Sequence, residues 1–286
     1  MSLRLATALM SRPRQVAPSQ TRWGVDLMSG GWAALFPFEA ATGVPTACLR
    51  VFGGGSNSTT HAARAATARS GTSGGLQPGC DIYLSCRFAE TPSTSDATII
   101  SYLQDVQEIA ADTVGFGSEF FLSVNPEPDR ADRTYTDAEW ITMHERVWTL
   151  GQTHAPDVTW IFNLTGYDFL GRIGRYAALD SATWDMLCVD TYWLQSETHQ
   201  ASVDSTIDAH AWVAANHPSK RFGEGEWGVE VGSQQHDDLV DAIEFMAGLT
   251  DPPCEIAPYF EDDEAWDTRL VGSGNEATYG STVDAL

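Results

Sequence analysis

The chain has 286 residues and carries a formal net charge of −23, from 16 Lys and Arg against 39 Asp and Glu. This charge excludes a duplex nucleic acid as the expected partner, because phosphate binding needs clustered cations. No apolar run reaches the length of a membrane span, and the patch LATALM near the N-terminus is too short for a signal peptide, so we expect no membrane insertion and assign no location.

Eight apolar runs of strand length follow one another along the chain. We predict strands at residues 23–28, 47–53, 82–88, 119–125, 158–164, 185–193, 221–227 and 255–260. The runs are nearly continuous in apolar residues, which is typical of strands that are covered on both faces. They therefore favour a parallel sheet over a sheet with one wet face.

The intervals between several of these strands carry helical periodicity. The segments 95–113, 136–152, 203–217 and 236–250 place apolar residues at helical spacing, and Thr136 with Glu139 has the spacing of a capping box. Residues 53–80 and 262–286 show little periodicity. Strands that alternate with helices predict βαβ units, and eight such units predict a single-domain TIM (β/α)8 barrel at residues 23–286, preceded by an N-terminal arm at residues 1–22.

Polar and aromatic side chains recur where the predicted strands end. In a barrel of this kind the chemistry lies at the carboxyl ends of the strands. The candidate site residues are Asp26, Arg50, Arg87, Asn125, Glu127, Asp129, Asn163, Asp190, Tyr192, Trp193, Glu226, Trp227 and Tyr259. Any one of them alone is more often a solvated loop residue, and any one Trp is more often core, but together they predict a sugar-binding mouth.

Two of these candidates are carboxylates that follow apolar runs about a hundred residues apart. Glu127 lies in NPEPD after the fourth strand, and Glu226 lies in EGEWG in the seventh. Glycoside cleavage uses two carboxyl groups, one to protonate the leaving oxygen and one to attack or to activate water. Glu224 is a rival to Glu226, since strict alternation along a strand places both side chains on one face.

The order of these motifs resembles the clan A retaining glycoside hydrolases, and among them the mannanase-like family 26. The resemblance rests on Pro126-Glu127-Pro128, on Glu226-Trp227-Gly228, and on the pairs Asp190/Tyr192 and Trp160/Asn163. It implies an endo-acting β-glycanase that needs no cofactor, with Glu127 as the acid/base and Glu226 as the nucleophile. The chain departs from that pattern at Pro126, where the clan has Asn or His.

The leading interpretation is a retaining glycosidase that acts on a β-linked polysaccharide or a cell-envelope glycan. The rival from another class is a non-catalytic glycan-binding barrel, for instance a structural component of a viral tail, since such proteins reach cell envelopes without a signal peptide. A barrel lyase or isomerase is a weaker third interpretation. The five cysteines show no CxxC or Cys/His ligand spacing, so we expect no metal site and no disulfide framework.

Overall fold

The computed structural model describes residues 21–27, 35–54, 80–87, 93–115, 117–131, 133–193, 199–232, 235–261, 270 and 273–286. The predicted arm lies outside these residues up to position 20, as do most of residues 53–80. Within the described part, no helix is long and apolar enough to cross a membrane.

Eight parallel strands form a closed barrel in chain order, and the first strand pairs with the last. The strands are β1 Arg22–Leu27, β2 Cys48–Gly54, β3 Asp81–Arg87, β4 Phe120–Val124, β5 Thr159–Thr165, β6 Met186–Trp193, β7 Arg221–Val229 and β8 Ile256–Glu261. Each predicted strand is present, with its ends within two residues of the predicted ones. The predicted TIM barrel is confirmed.

The helices surround the barrel. They are α1 Leu35–Thr42, α2 Asp96–Gly115, α3 Asp137–His154, α4 Phe169–Ile173, α5 His199–Asn216, α6 Gln235–Ala247 and α7 Glu276–Asp284. The capping box is confirmed: the Thr136 hydroxyl accepts the Glu139 N–H, and the Glu139 carboxylate accepts the Thr136 N–H. The helices α1, α4 and α7 lie where we predicted none.

The helix α7 owes its place to tertiary contacts. Its Tyr279 is buried, stacks on Trp227 and meets the Phe38 ring of α1 edge-on. A Cβ at Gly280 would lie 1.8 Å from the Thr42 carbonyl oxygen, so only glycine allows α7 to approach α1 this closely. The sequence of α7 is mostly polar because one narrow stripe suffices for this contact.

Two apolar layers pack on the two faces of the barrel wall. The larger layer lies between the strands and the helices. The smaller fills the inside of the barrel and consists of Cys48, Tyr83, Phe121, Ile161, Met186, Cys188 and Ile256. All five cysteines are buried free thiols, as the apolar runs around Cys48, Cys86 and Cys188 predicted.

An ion network occupies the amino-terminal end of the barrel. Arg22 pairs with Asp81 and lies 3.2 Å from Glu119, while Arg221 pairs with both Glu119 and Glu255. Both guanidinium carbons stand near the Phe121 ring, at 5.2 and 5.4 Å from its centroid. The interior is thus ionic at this end and apolar in the middle, which leaves the carboxyl end of the strands for chemistry.

Candidate active site

Glu226 of β7 is a carboxylate at the carboxyl end of the barrel that two side chains hold. Its Oε1 lies 2.9 Å from Arg50 Nη1, and its Oε2 accepts a hydrogen bond from the Tyr192 hydroxyl. The Arg50 side chain is fully buried, and that of Glu226 is 8% exposed. Burial, and next the charge of Glu226, raise the pKa of Tyr192 well above its usual value, so the phenol remains a donor. Both carboxylate oxygens are therefore held in fixed directions.

Asp190 of β6 shares the same guanidinium nitrogen. Its Oδ1 lies 3.0 Å from Arg50 Nη1, and its Oδ2 accepts a hydrogen bond of 2.8 Å from Asn163 Nδ2. Burial raises the pKa of Asp190, Arg50 opposes the rise, and the charges of Glu226 and Glu127 add to it. One cation thus faces a group of carboxylates at the end of the barrel.

A β-bulge in β7 directs the Glu226 side chain toward Arg50 and Asp190. Val189 pairs with Glu224, but the next residue of β6, Asp190, pairs with Glu226, so Gly225 is an extra residue in β7. A Cβ at Gly225 would lie 2.3 Å from Asp190 Oδ1, and no other residue type fits there without displacing the site.

Because of the bulge, Glu224 does not share a face with Glu226, contrary to strict alternation. Glu224 points away from the barrel interior and accepts hydrogen bonds from the hydroxyls of Thr191 and Thr206, at 2.8 and 2.9 Å. Its burial raises the pKa of Glu224 to about 8. Glu224 is therefore a packed residue behind the wall and not a rival nucleophile.

Glu127 lies in a strained turn after β4. Asn125 and Glu127 both have positive φ, at 49° and 53°, which is uncommon for residues other than glycine. The turn is held by hydrogen bonds from Glu127 N to Asn163 O, at 3.0 Å, and from Arg133 to the carbonyls of Pro126 and Glu127. Strain that is held by so many contacts is a common mark of a functional site.

The carboxylate of Glu127 forms ion pairs at the rim of the barrel. Its Oε2 lies 3.1 Å from Arg130 Nη1 and 3.8 Å from Arg133 Nη2, and its side chain is 19% exposed. Its charge also contributes to the raised pKa of Asp190 and of Tyr192. The charges of Glu127 and Glu226 therefore both reach Asp190 and Tyr192.

Two polar candidates of the β4 loop point elsewhere. Asn125 Nδ2 lies 3.7 Å from the sulfur of Met143 on α3, and Asn125 Oδ1 is buried and has no hydrogen-bond partner among the described residues. The fully buried carboxylate of Asp129 accepts hydrogen bonds from Thr165 and lies 2.9 Å from Arg172. Asp129 thus ties the β4 and β5 loops together, so its oxygens are engaged within the protein.

The aromatic candidates Trp193, Trp227 and Tyr259 lie on the outer face of the wall. All three belong to the layer between strands and helices, and Trp227 is fully buried with its Nε1 bonded to Ala257 O, at 3.0 Å. They therefore do not line the sugar-binding mouth that we predicted, because alternation turns them away from the interior. Other rings do meet the site: Phe260 lies 5.4 Å from the Tyr192 ring, and the Phe52 and Tyr83 rings each lie 4.6 Å from the Arg50 guanidinium carbon.

Two predicted site residues remain to be placed, and three residues at the site were not predicted. The side chains of Asp26 and Arg87 lie outside the part of the chain that the structure describes. Sequence reasoning missed Ser85, which accepts from Arg50 Nε at 2.9 Å, and the two arginines that pair with Glu127. The position of Ser85 two residues before the end of β3, on the face of Tyr83, was a signal that period-two alternation offered.

Known proteins resemble the chain in fold. An endo-β-1,4-mannanase of glycoside hydrolase family 26 from Cellulomonas fimi superposes with a TM-score of 0.66 and 14% identity, over 92% of this chain and 71% of that one. A family 26 protein from a Muricauda species gives 0.64 and 12%, over 99% and 87%. A family 128 endo-β-1,3-glucanase from Amycolatopsis mediterranei gives 0.55 and 13%, over 93% and 99%.

No family model and no curated protein matches the sequence. At these identities the likeness is one of fold. The chain has the barrel of glycoside hydrolases of family 26 and of related families, as the resemblance of its motifs implied.

Proposed function

We propose that the chain is a glycoside hydrolase that cleaves a β-linked glycan with retention, with Glu226 as nucleophile and Glu127 as acid/base. The observation that carries the proposal is the double anchoring of Glu226, one oxygen on Arg50 and the other on Tyr192. These two contacts fix the direction of the carboxylate before it reacts. Such positioning lowers the activation barrier, because little orientational freedom is left to lose in the transition state. The fold of the solved glycanases is in keeping with this reaction.

The first step joins the substrate to Glu226. A carboxylate oxygen of Glu226 attacks the anomeric carbon, the bond to the leaving oxygen breaks, and Glu127 gives its proton to that oxygen. Arg50 and Tyr192 hold the carboxylate before attack, and Arg50 also balances the charge of Asp190. In the second step Glu127 takes a proton from water, which displaces Glu226 from the sugar.

The pairing of Glu127 sets a condition on this mechanism. Oε2 of Glu127 lies 3.1 Å from Arg130 and 3.8 Å from Arg133, whereas the first step needs this carboxyl group at the leaving oxygen. Arg133 also binds the backbone of the turn and is largely buried, while Arg130 is 42% exposed. Substrate binding therefore has to part Glu127 from the exposed Arg130 before the proton is delivered.

The same pairing supports a second candidate, a glycan-binding barrel without catalysis. A Glu127 carboxyl group that stays in contact with two arginines does not reach a leaving oxygen, and Pro126 provides neither a side-chain donor nor an N–H next to it. In this alternative the chain would bind cell-envelope glycans without cleaving them, for instance as a structural component of a viral tail.

The experiment that separates the two uses Glu226→Gln and Glu127→Gln on β-mannans, β-glucans and envelope glycans. For a hydrolase, the release of reducing ends falls by several orders of magnitude in Glu226→Gln, because the glycosyl-enzyme cannot form, and affinity for the glycan survives. Glu127→Gln loses less on substrates with good leaving groups, which need little protonation. Glycan binding by the wild type without reducing ends, and equal binding by both variants, supports the non-catalytic barrel.

A further inference from the structure

Exposed apolar side chains concentrate in one loop of the described structure. The large apolar residues that are exposed there are Tyr167, Leu170 and Val114, at 63, 57 and 46%. Tyr167 and Leu170 belong to the segment that follows β5, at the carboxyl end of the barrel. Val114 lies at the end of α2, just before β4 begins at the amino-terminal end of the barrel. It is therefore at the opposite end from the candidate active site.

The Tyr167 ring rests on a fixed support. The guanidinium carbon of Arg172 stands 5.2 Å from its centroid, on one face. Arg172 Nη1 is in turn held at 2.9 Å by the buried Asp129 carboxylate and at 2.9 Å by the Thr165 hydroxyl. Since the cation covers one face, the exposed surface of the ring is its other face and its edge. The Tyr167 ring is thus an aromatic plane that a cation supports on one face.

The same contacts place this plane beside the candidate active site. Gly166, next to Tyr167, donates its N–H to the Asp190 carbonyl at 2.7 Å, and a Cβ there would lie 2.3 Å from Thr191 Cγ2. On the other side, Asp129 is two residues beyond Glu127 in the same loop. Tyr167 is therefore joined to the end of the strand that carries Asp190 and to the turn that carries Glu127.

From these contacts we infer that Tyr167, supported by Arg172, is a stacking platform for a sugar ring on the leaving-group side of the cleaved bond. The side follows from Glu127, since the residue that protonates the leaving oxygen lies next to the sugar that leaves. The ligand class is a β-linked pyranose chain, whose rings present flat faces of C–H groups to an aromatic plane. This inference rests on the proposed roles of Glu127 and Glu226.

The binding test uses Glu226→Gln protein, which does not turn substrate over, and titration calorimetry with β-1,4-mannohexaose, cellohexaose and laminarihexaose. Tyr167→Ala lowers the affinity for the hexasaccharide that binds best by about fivefold to tenfold, whereas Tyr167→Phe stays within about twofold, because the ring carries the contact. Val114→Ala, an exposed apolar residue at the other end of the barrel, is the matched control and changes nothing. Unfolding temperatures verify that all variants are folded.

A second measurement assigns the side. Inactivation of the otherwise wild-type enzyme by 2-deoxy-2-fluoro-β-glycosyl fluorides of mannose and glucose needs only the sugar that attaches to Glu226. Tyr167→Ala leaves this inactivation rate unchanged if the platform holds the leaving sugar, and lowers it several-fold if the platform holds the other one, which overturns the assignment.

The outcomes separate the two proposals. If the wild type is trapped by the fluoride and Tyr167→Ala binds hexasaccharides as tightly as its parent, the platform is wrong and the hydrolase stands. If Tyr167→Ala weakens binding but the wild type is neither trapped nor releases reducing ends, the hydrolase fails: Tyr167 then contacts the glycan, and its assignment to the leaving-group side is overturned. If none of the three hexasaccharides binds, the platform for neutral β-linked chains is wrong.

Discussion

Glu224 and Glu226 lie two residues apart in one strand and face opposite sides of the barrel wall. The extra residue, Gly225, changes the phase of β7, so that Glu226 meets Arg50 inside and Glu224 meets Thr191 and Thr206 outside. One carboxylate thus comes to the candidate site and the other becomes part of the packing. The bulge is the feature on which the geometry of the site depends most directly.

Gly225→Ala is expected to damage the site. Its Cβ would lie 2.1 Å from Asn163 Oδ1 and 2.3 Å from Asp190 Oδ1, so the two side chains must move, at a cost of about 1–3 kcal/mol in the free energy of unfolding. Urea unfolding and glycan affinity measure the two effects. Gly174→Ala is the matched control, since nothing lies within 4 Å of its Cβ and its φ is −58°. Unchanged stability of Gly225→Ala would show that the bulge relaxes freely.

Glu224→Gln is expected to remove a pH dependence of stability. Because burial raises the pKa of Glu224 from 4.5 to about 8, the folded state keeps a proton that the unfolded state releases between these values. The stabilisation is complete below pH 4.5 and is lost as the pH rises through about 8. Glutamine resembles the neutral acid, and the two threonine hydroxyls can also accept from its amide.

The difference is measured by urea unfolding of both proteins at pH 5, 7 and 9. We expect the free energy of unfolding of Glu224→Gln to rise relative to that of the wild type across this range, and to exceed it by about 2–4 kcal/mol at the alkaline end. Glu108→Gln, a change at an exposed position of α2, provides the control for the substitution itself. Stability curves that run parallel for Glu224→Gln and the wild type contradict the assigned pKa.

Arg50→Met is expected to destabilise the protein, because it removes the cation with which two buried carboxylates pair. Asp190 and Glu226 lose their shared cation in the barrel interior, which costs about 3–5 kcal/mol at neutral pH. Asp190→Asn in the same chain removes one of the two charges and restores part of the loss. A double-mutant cycle from urea unfolding measures this coupling. Strictly additive effects would mean that Arg50 does not act through Asp190.

Glu119→Gln is expected to weaken the ion network at the amino-terminal end of the barrel. Burial opposes ionisation, but hydrogen bonds from Arg221 and Thr159 and the charges of Arg221 and Arg22 lower the pKa of Glu119 to about 2. Its stabilisation is therefore present above pH 4.5 and is lost as the pH falls through about 2. The variant is less stable than the wild type by about 1–3 kcal/mol at pH 7, and the gap closes near pH 2.

The gap is read from urea unfolding at pH 7, 4 and 2, as the difference between variant and wild type at each pH. Salt sharpens the test, because ions screen exposed pairs more than buried ones. A gap that vanishes in about 0.5 M salt at pH 7 would place Glu119 with the weak surface pairs.

The sequence by itself determined the number, order and ends of the eight strands and the carboxylates at the ends of β4 and β7. These features depend on local patterns, since apolar runs, helical spacing and a capping box are each written within a few residues. The resemblance of motifs also indicated the barrel of the glycoside hydrolases. Period-two alternation, which could have indicated Ser85, holds along every regular strand and breaks where a strand gains a residue.

Only the tertiary structure decided which side chains meet. The bulge at Gly225 depends on the register between β6 and β7, whose paired residues are more than thirty positions apart. The outward packing of Trp227 and the helix α7 depend on contacts between chain segments that the sequence does not bring together. The same holds for Arg50, which reaches Asp190 and Glu226 from β2 because closure of the barrel brings distant strands to one interior.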